Sequence, residues 1–305
     1  KIKNYLIMKN KDKYFMKIAI QEAKKASDAV FPNPKVGCII TKNGKIISKG
    51  FHKKFGDSHA EKIAINNLKL QINQATMYVT LEPCAHIGKT KPCIDLIDYK
   101  IFKRVVIASS DPNPLSKDGI KILKKKNIEV TTGVYEKKSK KINKRFFTYH
   151  EKKRPYIIVK CAMTLDGFIA ETNGKSKWIT NEKSRKSVHK LRSTCDAILI
   201  GYKTANSDNP SLTTHKQGKN PKIVLIDPSN NASKSLKLFD RDPIIFNNKE
   251  LGQDSIKNVK IILNNLYEKK IQSLLVEGGG FTITSFIDSK LFDELHLYYA
   301  PKLIG

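Results

Sequence analysis

The chain has 305 residues, a length that allows two ordinary domains, each with its own hydrophobic core. Hydrophobic residues make up 40% of it, but no apolar run approaches a membrane span and none near the start is long enough for a secretory signal. Five cysteines, an odd number without framework spacing, argue against a secreted disulfide protein, so we expect a cytoplasmic protein without a membrane partner.

The formal net charge of +29 raises the question of nucleic-acid binding. Only six of the 57 basic residues are arginine, and the lysines are spread over the whole chain. Segments that bind nucleic acid more often cluster basic residues with interleaved aromatic residues. We therefore expect no nucleic-acid partner, although a diffuse positive field would attract a phosphorylated small substrate.

The first half of the chain alternates predicted helices and strands. An amphipathic pattern predicts a helix over 12–30, with Asp12 as its N-cap. Asn43-Gly44 joins the apolar runs 36–41 and 45–49 as a predicted β-hairpin. The pattern continues with helix 60–70, strand 76–81, helix 94–98, strand 104–108, helix 119–126 and strand 128–131. This alternation predicts α/β layers on a mixed sheet.

A strongly basic stretch at 137–154 separates this half from the next apolar strand. We therefore place a domain boundary near residue 150, between domains 1–150 and 151–305. The second domain alternates again, with strand 156–163, helix 182–192, strands 197–201, 222–226, 243–246 and 273–276, helix 282–288 and strand 294–300. No internal repeat relates the two halves.

One histidine and two cysteines of the first domain form a candidate metal site. His59, Cys84 and Cys93 offer three ligands to a tetrahedral Zn²⁺ and leave the fourth position for water. Glu61 can share the site only at a helix start, because residues two apart on a helix do not face each other. A glutamate that does not bind the zinc is typical of nucleobase deaminases. We predict hydrolytic deamination of an amino-substituted heterocycle, with Glu61 as the catalytic proton carrier.

Two other interpretations of these residues stay open. A structural zinc would take His52 or His86 as its fourth ligand, but structural sites usually separate their cysteines by two to four residues. A nucleic-acid deaminase of the tRNA type would use the basic surface for binding. It predicts clustered positive charge at the mouth of the zinc pocket.

Four segments of the first domain carry a family resemblance. They are His-Ala-Glu-x-x-Ala-Ile at 59–65, Val-Thr-Leu-Glu-Pro-Cys at 79–84, Gly-Lys-Thr-x-Pro-Cys at 88–93 and Asp-Pro-Asn-Pro at 111–114. These segments resemble the bifunctional riboflavin-biosynthesis deaminase/reductase family. The resemblance implies a cytidine-deaminase-like α/β/α sandwich and a 2,5-diamino-6-ribosylamino-pyrimidinone 5-phosphate as substrate. It also implies a substrate pocket lined by Asn33, His52, Lys89, Asp111 and Asn113.

The alternatives for two of these pocket residues are simple. Lys89 could be one more solvated lysine, and Asn33, which stands between two prolines, could be only a turn residue.

Four segments of the second domain match the reductase half of the same family in the same order. They are Lys-x-Ala-x-Thr-Leu-Asp-Gly-x-Ile-Ala at 160–170, Ser-Lys-Trp-Ile-Thr at 176–180, Gly-x-x-Thr-x-x-x-Asp-x-Pro-x-Leu-Thr at 201–213 and Val-Glu-Gly-Gly-Gly at 276–280. The resemblance implies a dihydrofolate-reductase-like α/β domain that uses NADPH to reduce a ribosyl group to a ribityl chain. The implied cofactor and substrate residues are Lys160, Ser176, Trp178, Arg192, Thr204, Asp208, Leu212, His215, Glu277, Gly278 and Gly279.

The glycine run after Glu277 also has a physical interpretation of its own. It follows a predicted strand and precedes a predicted helix, where bare backbone lets a phosphate approach N–H groups, although such a run can be only a turn.

Two departures from the family concern the second domain. His215 stands where the family commonly has arginine, so we expect a weaker and pH-dependent phosphate contact. The family continues through further strands beyond the position of Gly305, so we expect this domain to be incomplete at its C-terminus. We also expect a homo-oligomer.

Overall fold

The computed structural model describes residues 2–69, 72–87, 91–116, 118–170 and 180–304, with the backbone alone for residues 2–7. The chain divides into two compact units, Lys1–Glu151 and Lys152–Gly305. Among the described residues, no helix combines the length and the apolar character that a membrane crossing requires.

The first unit is built on one five-stranded sheet. Its elements are α1 (Ile2–Ala23), β1 (Gly37–Lys42), β2 (Lys45–Phe51), α2 (Ala60–Asn66), β3 (Ala75–Leu81), α3 (Cys93–Leu96), β4 (Phe102–Ser109), α4 (Gly119–Lys125), β5 (Glu129–Thr132), α5 (Glu136–Ile142) and α6 (Lys144–Lys152). The strand order is β2-β1-β3-β4-β5. β1 is antiparallel to both of its neighbours, and β3, β4 and β5 are parallel, so the predicted mixed sheet is confirmed.

Helices cover both faces of this sheet. α1 packs on one face around Phe15 and Met16, and residues of α2, α3 and α4 pack on the other. Two glycines let helices lie directly on the strands. A Cβ on Gly37 would overlap the carbonyl oxygen of Ala19 in α1, and a Cβ on Gly50 would overlap that of Ala60 in α2. The first turn of α2 therefore rests on the backbone of β2.

The prediction of helix 12–30 with Asp12 as N-cap was wrong at both ends. α1 begins at Ile2, ends at Ala23 and is followed by a short 3₁₀ turn, Asp28–Val30. Asp12 is buried inside α1. Its carboxylate accepts hydrogen bonds from Arg104 at 2.8 and 2.7 Å and from the Tyr78 hydroxyl at 3.0 Å. Because the charge is paired within the core, Asp12 serves tertiary packing instead of capping.

The basic stretch at 137–154 contains α5 and α6 and belongs mainly to the first unit. Phe146 and Phe147 of α6 pack in the first core and leave the lysines outside. The stretch therefore does not simply separate the domains, because its apolar side chains belong to one of them.

The second unit is built on a six-stranded sheet in which every paired neighbour is parallel. Its elements are β6 (Tyr156–Thr164), α7 (Glu182–Ser193), β7 (Ala197–Gly201), α8 (Tyr202–Asp208), β8 (Lys222–Ile226), β9 (Ile244–Phe246), α9 (Ser255–Glu268), β10 (Ser273–Val276), α10 (Gly280–Asp288) and β11 (Glu294–Ala300). The strand order is β11-β6-β10-β7-β8-β9. Residues of α9 and α10 pack on one face, and those of α7 and α8 on the other. The predicted α/β class is confirmed for both units.

One ion pair ties two neighbouring strands of this sheet together where they begin. Arg154 donates to the Asp293 carboxylate at 2.6 and 2.9 Å, and the backbone N–H of Ile157 donates to it at 2.9 Å. The starts of β6 and β11 therefore meet at one half-buried carboxylate.

Candidate active sites

The three candidate zinc ligands meet at one end of the first sheet. His59 directly precedes α2, Cys84 follows β3 by three residues, and Cys93 begins α3. Their ligand atoms all lie within 4.8 Å of one another. His59 Nδ1 is 3.2 Å from Cys93 Sγ and 3.5 Å from Cys84 Sγ. Zn–S and Zn–N bonds of about 2.3 and 2.0 Å place tetrahedral N and S ligands about 3.5 Å apart, so this set fits Zn²⁺.

The two thiols of this cluster differ in acidity. Hydrogen bonds from Cys93 and His59 lower the pKa of Cys84 to about 4, which favours its thiolate form. The hydrogen bond to that thiolate, together with burial, raises the pKa of Cys93. Metal binding therefore has to release the Cys93 proton, as is usual for thiolate ligands.

Glu61 lies beside the cluster, in the first turn of α2. Its side chain is only 3% exposed, and burial raises its pKa to about 7. A carboxyl group with this pKa can both accept and release a proton near neutral pH. It lines a cavity of about 260 Å³ together with His59 and Cys84.

The same cavity contains four of the five predicted substrate residues, which are Asn33, His52, Asp111 and Asn113. The fifth, Lys89, lies outside the described residues. His52 Nδ1 is 3.1 Å from the carbonyl oxygen of Ser58 and therefore carries a proton, because a carbonyl can only accept. In the neutral ring, His52 Nε2 then accepts from Asn33 Nδ2 at 3.2 Å. Asn33 is thus oriented by a side chain and is more than a turn residue.

Neither alternative fourth ligand joins the metal cluster. His52 is held by Ser58 and Asn33, and His86 Nδ1 lies 3.2 Å from Ser116 Oγ. Within the described part of the chain, no other group of three His, Cys, Asp or Glu side chains is arranged to hold a metal ion. The three-ligand arrangement therefore leaves a coordination position for water.

Sequence reasoning missed several residues of this cavity. Phe55, Asp57 and Phe146 line it, and Glu82 lies at its base with a buried carboxylate. Glu82 is part of the segment that carries the family resemblance, but no pattern in the sequence says what it contacts. Phe146 carried a weak signal, since it is an aromatic residue inside a basic stretch.

A second, larger cavity of about 580 Å³ lies in the second unit, where β7 and β10 end. It brings together eight of the predicted residues, which are Lys160, Arg192, Thr204, Asp208, Leu212, Glu277, Gly278 and Gly279. His215 does not line it but stacks on His189, which does, with ring centroids 4.1 Å apart. Ser176 and Trp178 lie outside the described residues.

A buried ion pair forms the base of the second cavity. Arg192 donates to both oxygens of Glu277 at 2.9 Å, and Lys160 Nζ lies 4.0 Å from the same carboxylate. Burial alone would raise the pKa of Glu277, but the hydrogen bonds and charge of Arg192 and the charge of Lys160 lower it. Glu277 is therefore a permanent negative charge at neutral pH. Arg192 also donates to the carbonyl oxygen of Thr213 at 3.1 Å.

The glycines of the second cavity fit a phosphate-bearing cofactor. A Cβ on Gly278 would lie 2.5 Å from Thr282 Cβ, and one on Gly279 would lie 3.0 Å from Thr204 Oγ1. Gly279 is the N-cap of α10 and, as a glycine, offers no side chain to cap the first N–H groups of this helix. Bare backbone at a helix start is where a nucleotide phosphate binds, and this cradle fits NADPH.

His189, Arg185 and Lys203 also line the second cavity and were missed. Burial and the charge of Arg192 lower the pKa of His189, and its buried Nδ1 has no hydrogen-bond partner in the described part of the chain. A signal was available, since His189 and Arg192 are three residues apart on a predicted helix and so share one face.

Two family models match the chain. The RibD C-terminal domain matches residues 155–305, and the cytidine and deoxycytidylate deaminase zinc-binding region matches residues 9–109. The riboflavin biosynthesis protein RibD of Aquifex aeolicus is 41% identical, over 96% of this chain and 88% of that protein. Its counterpart from Buchnera aphidicola is 40% identical, over 97% of this chain and 88% of that protein.

The chain belongs to the RibD family. A solved deaminase/reductase from Thermotoga maritima is 42% identical, with a TM-score of 0.84 over 98% of this chain and 89% of that one. A RibD structure from Acinetobacter baumannii is 33% identical, with a TM-score of 0.85 over 97% of this chain and 88% of that one. These similarities extend over both units.

The predicted resemblance and function are therefore confirmed. The protein is a bifunctional enzyme of riboflavin biosynthesis, with a deaminase step and a reductase step, and it acts on a small pyrimidine substrate. Zn²⁺ and NADPH are its cofactors, in agreement with the His/Cys/Cys cluster and the reductase domain. A nucleic-acid deaminase is not favoured.

Proposed function

We propose that the first unit deaminates a 2,5-diamino-6-ribosylamino-pyrimidinone 5-phosphate and that the second unit reduces the ribosyl group of the product to a ribityl chain. The observation that carries this proposal is the buried Glu61 beside the His59, Cys84 and Cys93 cluster. The Thermotoga maritima relative supports it, since that protein is described as a diaminohydroxyphosphoribosylaminopyrimidine deaminase/5-amino-6-(5-phosphoribosylamino)uracil reductase.

In the first cavity, His59, Cys84 and Cys93 would hold Zn²⁺, which activates water for attack on the ring carbon that bears the amino group. Glu61 accepts the proton of that water on a carboxylate oxygen and returns it to the leaving amine. Its pKa of about 7 suits both transfers. Ammonia leaves, and the ring keeps the oxygen. Asn33, His52, Asp111 and Asn113 orient the pyrimidine, and Lys89 contacts it from the loop between the cysteines.

The residues of the second cavity would hold NADPH, which would supply a hydride for reduction of the opened ribosylamino group. The proposed cofactor and substrate residues are Lys160, Ser176, Trp178, Arg192, Thr204, Asp208, Leu212, His215, Glu277, Gly278 and Gly279. Gly278 and Gly279 let phosphate approach the backbone. Glu277 stays charged and fixes Arg192. His215 gives a weaker, pH-dependent phosphate contact than an arginine would.

We extend the proposal to the setting of the enzyme. All five cysteines are free and buried, which suits a reducing cytoplasm.

The edge strand β11 exposes three large apolar side chains on one face: Leu295 is 41% exposed, Leu297 40% and Tyr299 58%. A homo-oligomer would cover them. The first cavity, at about 260 Å³, has the size of a single small molecule, and we propose no nucleic-acid partner.

One assay tests the proposed function. The purified enzyme is incubated with the diaminopyrimidinone ribotide, with and without NADPH, and the products are identified by mass. Without NADPH we expect only replacement of the amino group by oxygen, and with NADPH the further gain of two hydrogens. A parallel reaction uses a synthetic tRNA, which we expect to remain unchanged. Deamination of the tRNA but not of the ribotide contradicts the proposal.

A further inference from the structure

Glu82 is a buried carboxylate that accepts hydrogen bonds from two backbone N–H groups of the described residues. It directly follows β3, stands two residues before Cys84 and is 7% exposed. Its Oε2 accepts from the backbone N–H of Asp111 at 3.1 Å, and its Oε1 accepts from that of Ile120 at 2.9 Å. The Glu82 N–H donates to the carbonyl oxygen of Ser109 at 2.9 Å. One residue thus links the zinc-ligand segment to two other segments of the chain.

The first of these segments lines the deaminase cavity. Asp111 and Asn113 follow β4, and both face the cavity. Asp111 Oδ1 accepts from the N–H of Asn113 at 2.8 Å, and Asn113 Oδ1 accepts from that of Leu115 at 3.1 Å. The position of Asp111 therefore sets the position of the whole loop at 111–116.

The second segment is the start of α4, which lies directly against the zinc-ligand segment. A Cβ on Gly119 would overlap the carbonyl oxygen of Pro83 and would lie 3.2 Å from Glu82 Cγ. Because Gly119 has no side chain, the N–H of Ile120 comes within reach of Glu82. The carboxylate is thereby fixed from both sides.

We propose that Glu82 is a positioning residue of the deaminase, which sets the distance between the zinc ligands and the substrate loop at 111–116. This inference rests on the proposed function, in which Asp111 and Asn113 hold the pyrimidine against Glu61. A carboxylate suits this role because it offers two acceptors and no donor. A glutamine would turn an NH₂ group toward one of the two backbone N–H groups and release that segment.

The test compares Glu82→Gln with Glu22→Gln. Glu22 is a matched control, because it is also buried in the first unit, at 5% exposure, but pairs with Lys25 and Lys49. In Glu82→Gln we expect full zinc content and a rise in KM for the ribotide of roughly 10-fold to 100-fold, with a smaller change in kcat. Hydrogen exchange should accelerate at whichever of the amides of Asp111 and Ile120 then faces the NH₂ group. Glu22→Gln should change neither readout.

The outcomes separate this proposal from the proposed function. Unchanged KM and unchanged exchange in a folded, zinc-loaded Glu82→Gln enzyme overturn the positioning role. A wild-type enzyme that does not deaminate the ribotide overturns the proposed function instead, and the exchange at Asp111 and Ile120 still tests whether Glu82 holds the two segments.

A second variant covers the case in which Glu82→Gln does not fold. Ile120→Pro removes the donor to Oε1, and proline is tolerated in the first turn of a helix. Because the Ile120 side chain also packs against the first core, the variant is compared with Ile120→Ala, which loses that side chain but keeps the N–H. We expect a smaller rise in KM of the same kind. An unchanged KM in the folded variant overturns the proposal.

Discussion

The two cavities shift the pKa values of their buried carboxyl groups in opposite directions. In the first, burial raises the pKa of Glu61 to about 7 and that of Asp111 to about 6. In the second, Arg192 and Lys160 outweigh burial and lower the pKa of Glu277. The difference matches the chemistry of the two steps. Deamination needs a group that exchanges protons near neutral pH, whereas reduction by NADPH needs fixed charges that hold two ligands in place.

The largest effect expected is that of Glu61→Gln in the first cavity. The amide cannot carry the proton, so deamination should fall by about 10²-fold to 10⁴-fold. Zinc content and the reductase rate on the deaminated substrate should be unchanged. Parallel measurement of zinc and of both turnover rates checks this, and near-normal deamination would show that Glu61 is not the proton carrier.

In the second cavity, removing one partner of the buried ion pair should first lower the free energy of unfolding. Among the described residues, Arg192→Met leaves the buried Glu277 with Lys160 at 4.0 Å as its ion-pair partner, and breaking a buried pair costs about 3–5 kcal/mol. The double variant Arg192→Met/Glu277→Gln removes both charges and should recover much of the loss without recovering reduction. Urea unfolding together with reductase assays checks this. A single variant as stable as the wild type contradicts the fixed-charge role of the pair.

The pKa difference also predicts a pH effect at Asp111. Burial and the charge of Glu82 raise its pKa from an ordinary value of about 3.9 to about 6. Its contribution to stability is therefore present below pH 4 and is lost as the pH rises to about 6. Asp111→Asn has no carboxyl group to titrate at this position, so it does not lose this stability. In chelator-treated protein, the unfolding free energy of the variant minus that of the wild type should therefore increase between pH 4 and 7. A constant difference contradicts the assigned shift.

In the second unit, the pKa of Asp293 is shifted in the opposite direction, so its contribution to stability changes with pH in the opposite sense. Hydrogen bonds from Arg154 and Ile157 outweigh burial and lower the pKa of this carboxyl. Its contribution is present above pH 4 and is lost as the pH falls further. Asp293→Asn should therefore lower the stability of the protein at neutral pH and lower it less at acid pH. Thermal unfolding from pH 3 to 7 provides the measurement, and equal destabilisation at all pH values argues against the ion pair as the cause.

The smallest effect expected is that of removing the second unit from the deaminase. Within the described residues, the deaminase site residues all precede the division between Glu151 and Lys152, and the reductase site residues all follow it. A 1–151 fragment that stays folded and assembled should deaminate the ribotide at close to the full rate without NADPH. Loss of deamination in a folded fragment would show that the two sites depend on each other.

Local patterns predicted most of the architecture. The strands 197–201, 222–226, 273–276 and 294–300 have the predicted bounds, because short apolar runs between polar turns mark buried parallel strands. Among the described residues, four helices were missed, α5 (Glu136–Ile142), α6 (Lys144–Lys152), α8 (Tyr202–Asp208) and α9 (Ser255–Glu268). α8 starts directly after a strand, and α9 contains lysines and asparagines that obscure its apolar face. Asp12 was misassigned because its partner, Arg104, is 92 residues away.

The sites were predictable to different depths. Side-chain chemistry alone indicated His59, Glu61, Cys84 and Cys93, because few other functions need these residue types together. The remaining pocket residues came only from the family resemblance. Neither side-chain chemistry nor the resemblance indicated the roles of Glu82 and His189. Those roles depend on hydrogen bonds and ring contacts between distant segments, which cannot be inferred from composition and spacing.

The direct contact between β2 and α2 has a consequence for how this chain can vary. Gly50 is not among the described residues that line either cavity, yet a Cβ there would overlap the carbonyl oxygen of Ala60 in the helix turn that follows His59 and includes Glu61. A glycine codon becomes an alanine codon by one base change. That change would push the start of α2 outward and carry His59 away from the cysteines. A substitution at Gly50, which takes no part in the chemistry, can therefore inactivate the deaminase as fully as the loss of a zinc ligand.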